Sequence, residues 1–290
     1  MTRRFEIELS ESVWAELQRR NRETGISLSR LADEALSEAF QLERHSLFQV
    51  STSNALAQGV FSGAVTVGEL RRHGDFGLGT FAGLDGELVM VDGVCFRAGA
   101  GGDIEEVGDE REVPFALVTR FVADVDTVVE GVDGISQLAG QLDRLRPSQN
   151  LFAGIRVEAG FDSLTLRAAC PARPGEGLLE ATQHQSEYRV VGAVGTLVGF
   201  WGPEYARAVG VPGYHFHFIS DDRRMGGHVL DVIGGPLDVG MQVESGLHLA
   251  IPETAAFLSA DLSGEHGAEI EAAETRVGRP GYDPVPRRPS

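Results

Sequence analysis

Glycine and short alternating runs constrain this chain most. From His45 onward, the runs Gly86–Val91, Gly93–Arg97, Ala116–Val122, Asn150–Val157 and Ser163–Ala169 are cut apart by Gly, Asp and Pro. A period of two puts successive side chains on opposite faces of a strand. Glycine, at 37 of 290 residues, supplies the tight turns between such strands. The pattern predicts an α/β chain of the sheet-rich, α+β kind. Short helices are expected at Ser53–Val60 and Val67–His73, and a further one at Ile135–Leu145.

The first 44 residues read differently. Phe5, Ile7 and Leu9 alternate with Arg4, Glu6 and Glu8, the period of a half-buried strand. Ser10 is placed to cap a helix over Glu11–Glu23, with Val13, Trp14 and Leu17 as its apolar side and Thr24-Gly25 as its stop. Ser27 or Ser29 caps a second helix, where Leu28, Leu31, Ala32, Ala35, Leu36 and Phe40 recur at helical spacing. One strand and two helices of this length cannot bury a core alone. This β-α-α layout over residues 2–42 resembles the ribbon-helix-helix family, in which two chains pair their strands and bind DNA. The strand face that would meet DNA carries Arg4, Glu6 and Glu8, and two carboxylates there oppose phosphate. A dimerisation segment is therefore favoured over a DNA-binding one.

Charge narrows the function. The chain has 25 basic and 43 acidic residues, a net charge of -18, and every basic residue is arginine. Without lysine there is no P-loop, no Schiff base and no lysine general base. So negative a field repels nucleic acid overall, leaving only local contact through residues 1–44. No apolar stretch is long enough to span a membrane, and the N-terminus lacks the apolar core of a secretory signal. Cys95 and Cys170 stand alone, which argues against a disulfide framework and for small buried residues rather than nucleophiles. A cytoplasmic protein is expected. Three units are read along the chain: 1–44, 45–275 and a proline- and arginine-rich tail, 276–290, expected to be disordered.

The sharpest chemical signal is His215-Phe-His217, followed by an Asp-Asp and Gly-Gly turn and then His228. Residues i and i+2 of a strand share a face, so His215 and His217 project together, with Tyr214, Phe216 and Phe218 packed behind them. His228 opens the returning strand. Three imidazoles converging from a hairpin match a zinc site with one position open, although iron, copper and nickel also accept imidazole. The plainer alternative is a set of polar, outward positions. Cupins share the His-x-His pair but add a glutamate a few residues on, where this chain has Asp221 and Asp222. Glu87 shares a strand face with Val89 and Val91, and a carboxylate on such a face is paired, metal-bound or catalytic. The glycines of Gly74–Glu87 lack the strand–turn–helix setting of a nucleotide fingerprint. His45, His184, His248 and His266 stand alone, and His73 reads as structural.

The runs Leu47–Leu56, Gly59–Gly63, His73–Phe81 and Leu84–Glu87 look like the alpha-acetolactate decarboxylase family. So do Pro114–Ala116, Asn150–Phe152 with Ile155-Arg156, Gly195–Phe200, Pro203–Tyr205 and the histidine hairpin. The resemblance covers about residues 45–275. It implies a two-part body with mixed β-sheets, a homodimer, and zinc-dependent decarboxylation of 2-acetolactate to (R)-acetoin and carbon dioxide through a metal-bound enediolate. It further implies His215, His217 and His228 as metal ligands, Glu87, Arg167 and Glu274 around the substrate, and Thr80 lining the pocket. Arg156 competes with Arg167 for its role, and Glu271 with Glu274. The residue types suit the chemistry. Zinc is a Lewis acid, a guanidinium can orient a carboxylate, and a glutamate of raised pKa can return a proton to one face. Two other readings stay open: a metabolite-sensing, DNA-binding regulator on the same fold, and a zinc hydrolase.

Overall fold

The computed structural model describes residues 6–39, 45–264 and 266–274. Two seven-stranded sheets make up the body. The first runs, edge to edge, Gly246–Ala250, Ser46–Val50, Phe115–Thr119, Phe76–Thr80, Glu87–Val91, Val94–Ala98 and Ile104–Glu106. It is mixed, because Ser46–Val50 pairs in parallel with Gly246–Ala250 and antiparallel with Phe115–Thr119. Both of its faces are covered. Helix Val67–His73 lies over Phe48, Leu88, Met90 and Val118 on one side. On the other, Phe76, Val89, Phe96 and Phe115 pack against Val198, Phe200 and Ile219 of the second sheet. Burial on both faces explains why Glu87–Val91 and Phe115–Thr119 are buried at every position.

The second sheet is antiparallel throughout and curls until it closes. Phe152–Ala168 and Ser186–Gly202 form one long hairpin, paired from Ala153–Trp201 to Ala168–Ser186. The front half of Phe152–Ala168 pairs outward with Leu237–Glu244. Its rear half pairs with Gly226–Gly234, across register shifts at Phe161/Ser163 and Thr165/Leu166. Such irregularities bend a strand and increase its twist. Gly213–Ser220 then joins Gly226–Gly234 to the rear half of Ser186–Gly202, so the four strands form a ring. Its interior holds Phe161, Leu166, Leu197, Phe216, Phe218 and Val232. A Cβ on Gly199 would sit 2.1 Å from the Phe216 ring, so only glycine lets these strands approach so closely.

Several sequence expectations are corrected here. Asn150–Val157 and Ser163–Ala169 are not two strands but parts of one strand of 17 residues, because its bulges bend it without interrupting pairing. The helix expected over Ser53–Val60 stops at Ala57, and Gly59 follows at φ 77°. In the N-terminal segment, helices Glu11–Thr24 and Leu28–Ala39 form as expected, with the Val13 amide donating to Ser10 Oγ at 3.4 Å and Gly25 closing the first helix at φ 72°. Among the described residues, 6–10 pair with no strand of the same chain, and the ladder expected there draws its partner strand from a second copy. Arg4, Phe5, Phe40 and the tail 276–290 lie outside the described residues. Leu17 and Leu31 are buried, and Arg30 pairs with Asp124 of the body at 3.2 Å. Among the described residues no helix is long and apolar enough to cross a membrane.

Candidate active site

The histidine hairpin lies where the closed sheet meets the first sheet. His215 and His217 share a face of Gly213–Ser220, and His228 stands directly across the ladder from His217. All three are buried. His215 Nε2 lies 3.2 Å from His217 Nε2 and 3.1 Å from His228 Nδ1. His217 Nδ1 donates to the Leu88 carbonyl of the first sheet at 2.8 Å. A carbonyl only accepts, so this bond fixes the proton on Nδ1 and turns the Nε2 lone pair toward its neighbours. Burial, aided by the nearby Arg167 charge, pushes the His215 pKa down to about 3, which keeps that ring neutral.

This geometry fits a metal ion. One ligand nitrogen from each ring lies within 4.8 Å of the others. Zinc–nitrogen bonds of about 2.0–2.1 Å in a tetrahedron place ligand atoms roughly 3.4 Å apart, close to the spacing found. Three protein ligands would leave an ion free to take a further ligand.

The other expected residues gather around the same small cavity. Thr80 and Glu87 pair across neighbouring strands of the first sheet, and both line it. Glu87 is buried, with Oε2 3.6 Å from His217 Nε2. The Thr80 hydroxyl donates to the Gly86 carbonyl at 2.9 Å, so toward the cavity it can only accept. Arg167 stands opposite His228 in the ladder and lines the cavity too. It is buried, and among the described residues its Nε has no hydrogen-bond partner and its side chain makes no ion pair. A buried guanidinium left in this state is expensive unless an anion meets it.

The competing arginine sits elsewhere. Arg156 bonds Asp92 at 2.8 Å and Glu158 at 2.7 Å in a separate acidic cleft that contains none of the histidines. Glu274 ends the helix Gly267–Glu274, whose Ile270 and Ala273 are buried. The side chains of Glu271 and Glu274 lie outside what the structure describes.

The remaining histidines make contacts away from the cavity. His73 stacks on Phe48 at 3.7 Å, with His248 edge-on to both. His45 is buried, and its Nδ1 donates to the Val243 carbonyl at 2.9 Å. Burial pushes the Cys95 thiol up to about 12, which removes it as a nucleophile.

Sequence reasoning missed part of the wall. Leu178, Thr182 and Gln185 line the cavity from a short helix and the turn after it. No local pattern marks them, because the chain brings them in only when Ser186–Gly202 folds back along Phe152–Ala168.

A family model described as alpha-acetolactate decarboxylase matches residues 47–264. The alpha-acetolactate decarboxylase of Methylococcus capsulatus is 41% identical over 233 residues, covering 80% of this chain and 90% of that protein. That of Lactococcus lactis subsp. lactis is 37% identical over 232 residues, covering 79% of this chain and 98% of that one. The crystal structure of alpha-acetolactate decarboxylase from Bacillus subtilis strain 168 superposes with a TM-score of 0.77 at 33% identity, over 79% of this chain and 99% of that chain.

Proposed function

The chain belongs to the alpha-acetolactate decarboxylase family, and from that premise we infer that the histidine cavity releases carbon dioxide from 2-acetolactate and yields (R)-acetoin. The enzyme is a decarboxylase of acetolactate. The observation that carries the assignment to this cavity is the pairing of three converging imidazole nitrogens with a buried arginine that has no anionic partner among the described residues.

His215, His217 and His228 are the residues that would hold the metal, and zinc suits a set of three neutral imidazoles. Bound there, zinc supplies a Lewis acid beside the ketone, an electron sink that makes thiamine, pyridoxal or lysine unnecessary.

The protein's own groups do the rest. Arg167 binds the substrate carboxylate and fixes which bond is aligned for cleavage. As that C–C bond breaks, its electron pair passes toward the ketone oxygen and leaves an enediolate in the cavity. Glu87, beside His217, handles the proton that must reach the former carboxyl-bearing carbon, with Glu274 as the second carboxylate. Delivery from one wall sets the handedness of acetoin. Thr80 accepts a hydrogen bond from whatever donor faces it, and Leu178 and Phe115 help exclude water.

The remaining readings follow from the sequence. Residues 1–44 form a ribbon-helix-helix-like segment that pairs two copies of the chain, so the enzyme works as a homodimer in the cytoplasm. Residues 45–275 carry the activity. The acidic strand face makes DNA binding a minor reading for the segment.

The test is direct. Purified protein, with its metal content measured, is given racemic acetolactate, and carbon dioxide and acetoin are followed. Zinc-replete protein that forms no acetoin would end the reading.

A further inference from the structure

We propose that Gln185 is a specificity-determining residue that recognises the substrate hydroxyl. The proposal rests on the decarboxylase reading above. Gln185 sits in the turn between helix Leu178–Thr182 and strand Ser186–Gly202, held by its backbone N–H donating to the Thr182 carbonyl at 3.2 Å. The residue is 9% exposed and lines the same cavity as the three histidines, Glu87 and Arg167. Its Oε1 is buried and, among the described residues, has no hydrogen-bond partner.

A buried acceptor in this state lacks a donor. Among the described residues none of the cavity wall bonds to it. Arg167 faces the cavity as a donor, but Oε1 of Gln185 makes no bond to it. The Thr80 proton is committed to the Gly86 carbonyl. The donor must therefore arrive with the ligand. A 2-hydroxy-3-oxo acid offers a carboxylate and a ketone, which only accept, and a single hydroxyl, which donates. The carboxylate matches Arg167. The hydroxyl is the one group that can satisfy Gln185. Such a site rejects a ligand lacking the hydroxyl, because the amide oxygen is then left buried and unmet.

The test uses two acids that cannot lose carbon dioxide by this route: 2-hydroxy-2-methylbutanoate, and 2,2-dimethylbutanoate, in which a methyl replaces the hydroxyl. Calorimetry gives the Kd of each for the zinc-loaded full-length protein, for Gln185→Met and for Gln185→Glu. The unsubstituted protein should favour the hydroxy acid by at least about tenfold. Gln185→Met should cut that preference by roughly tenfold or more, whereas Gln185→Glu, which keeps an acceptor, should preserve it while weakening both acids. With acetolactate, Gln185→Met should raise KM by about 10- to 100-fold and change kcat little, since the bond is made equally before and during reaction. Zinc content and thermal melting show that each variant is folded. A preference that survives Gln185→Met, equal affinities in the unsubstituted protein, or a loss confined to kcat each overturn the proposal. Failure of the unsubstituted protein to make acetoin counts against the decarboxylase reading instead, because the affinity ratio is read without turnover.

Discussion

Arg167 stands directly across the antiparallel ladder from His228, so a fixed positive charge and an imidazole of the converging trio share one wall of the cavity. Pairing opposite each other in a bent ladder fixes their separation to that of neighbouring strands, and neither side chain needs a loop to hold it. The arrangement puts the guanidinium proposed to bind the substrate carboxylate beside the three imidazoles proposed to hold a metal.

Removing that charge should separate activity from stability. Arg167→Met is expected to lower kcat/KM for acetolactate by about 100-fold or more, since a charge-assisted bidentate contact is lost. The same change relieves a buried charge that has no partner among the described residues. Melting temperature should therefore stay level or rise by a few degrees. Steady-state kinetics and a thermal melt on the same preparation check both halves.

Glu87→Gln keeps shape and hydrogen bonding but cannot exchange a proton. The expected result is a fall in kcat of roughly 100- to 10,000-fold with zinc content unchanged. A variant that retains most of its kcat would move the proton transfer to Glu274.

Metal removal should weaken both fold and function. Chelation is expected to abolish acetoin formation, and zinc to restore it. Because an ion that binds only the folded chain stabilises it, the melting temperature should drop on chelation. His217→Ala should lose zinc and respond little to chelator. It also removes the bond to the Leu88 carbonyl that ties the two sheets together. Elemental analysis with melting curves before and after chelation gives the answer.

Away from the cavity, Glu244 predicts a pH dependence of stability. Burial raises its pKa from 4.5 to about 7, with Asp124 adding to the rise, while Gln242 and Thr119 pull the other way. Between those two values the unfolded chain has released a proton that the folded chain still holds. Stability should therefore fall as pH climbs from about 4.5 to 7, by about 3 kcal/mol at most for a shift of this size. Gln242 donates to Glu244 Oε1 at 2.8 Å, a bond that an amide oxygen can also accept. Glu244→Gln should flatten the fall and melt higher above pH 7. Equal pH profiles for the two proteins would refute this.

What the sequence by itself determined is local. A period of two placed His215 and His217 on one face, and the phenylalanines between and beyond them in the core. Capping residues set the start of helix Glu11–Thr24, and glycine its end. These features depend on neighbours within a few residues, so the order of residues displays them. Tertiary structure decided what depends on distant pairing. Arg156 and Arg167 lie on the same strand, yet only Arg167 reaches the histidines, because the strand bends at its bulges and its two halves pair with different partners. Gln185 joins the wall only through the return of a long hairpin. The alternation through Ile7 and Leu9 marks a strand face, but a pattern of side chains cannot supply the second backbone that a ladder requires.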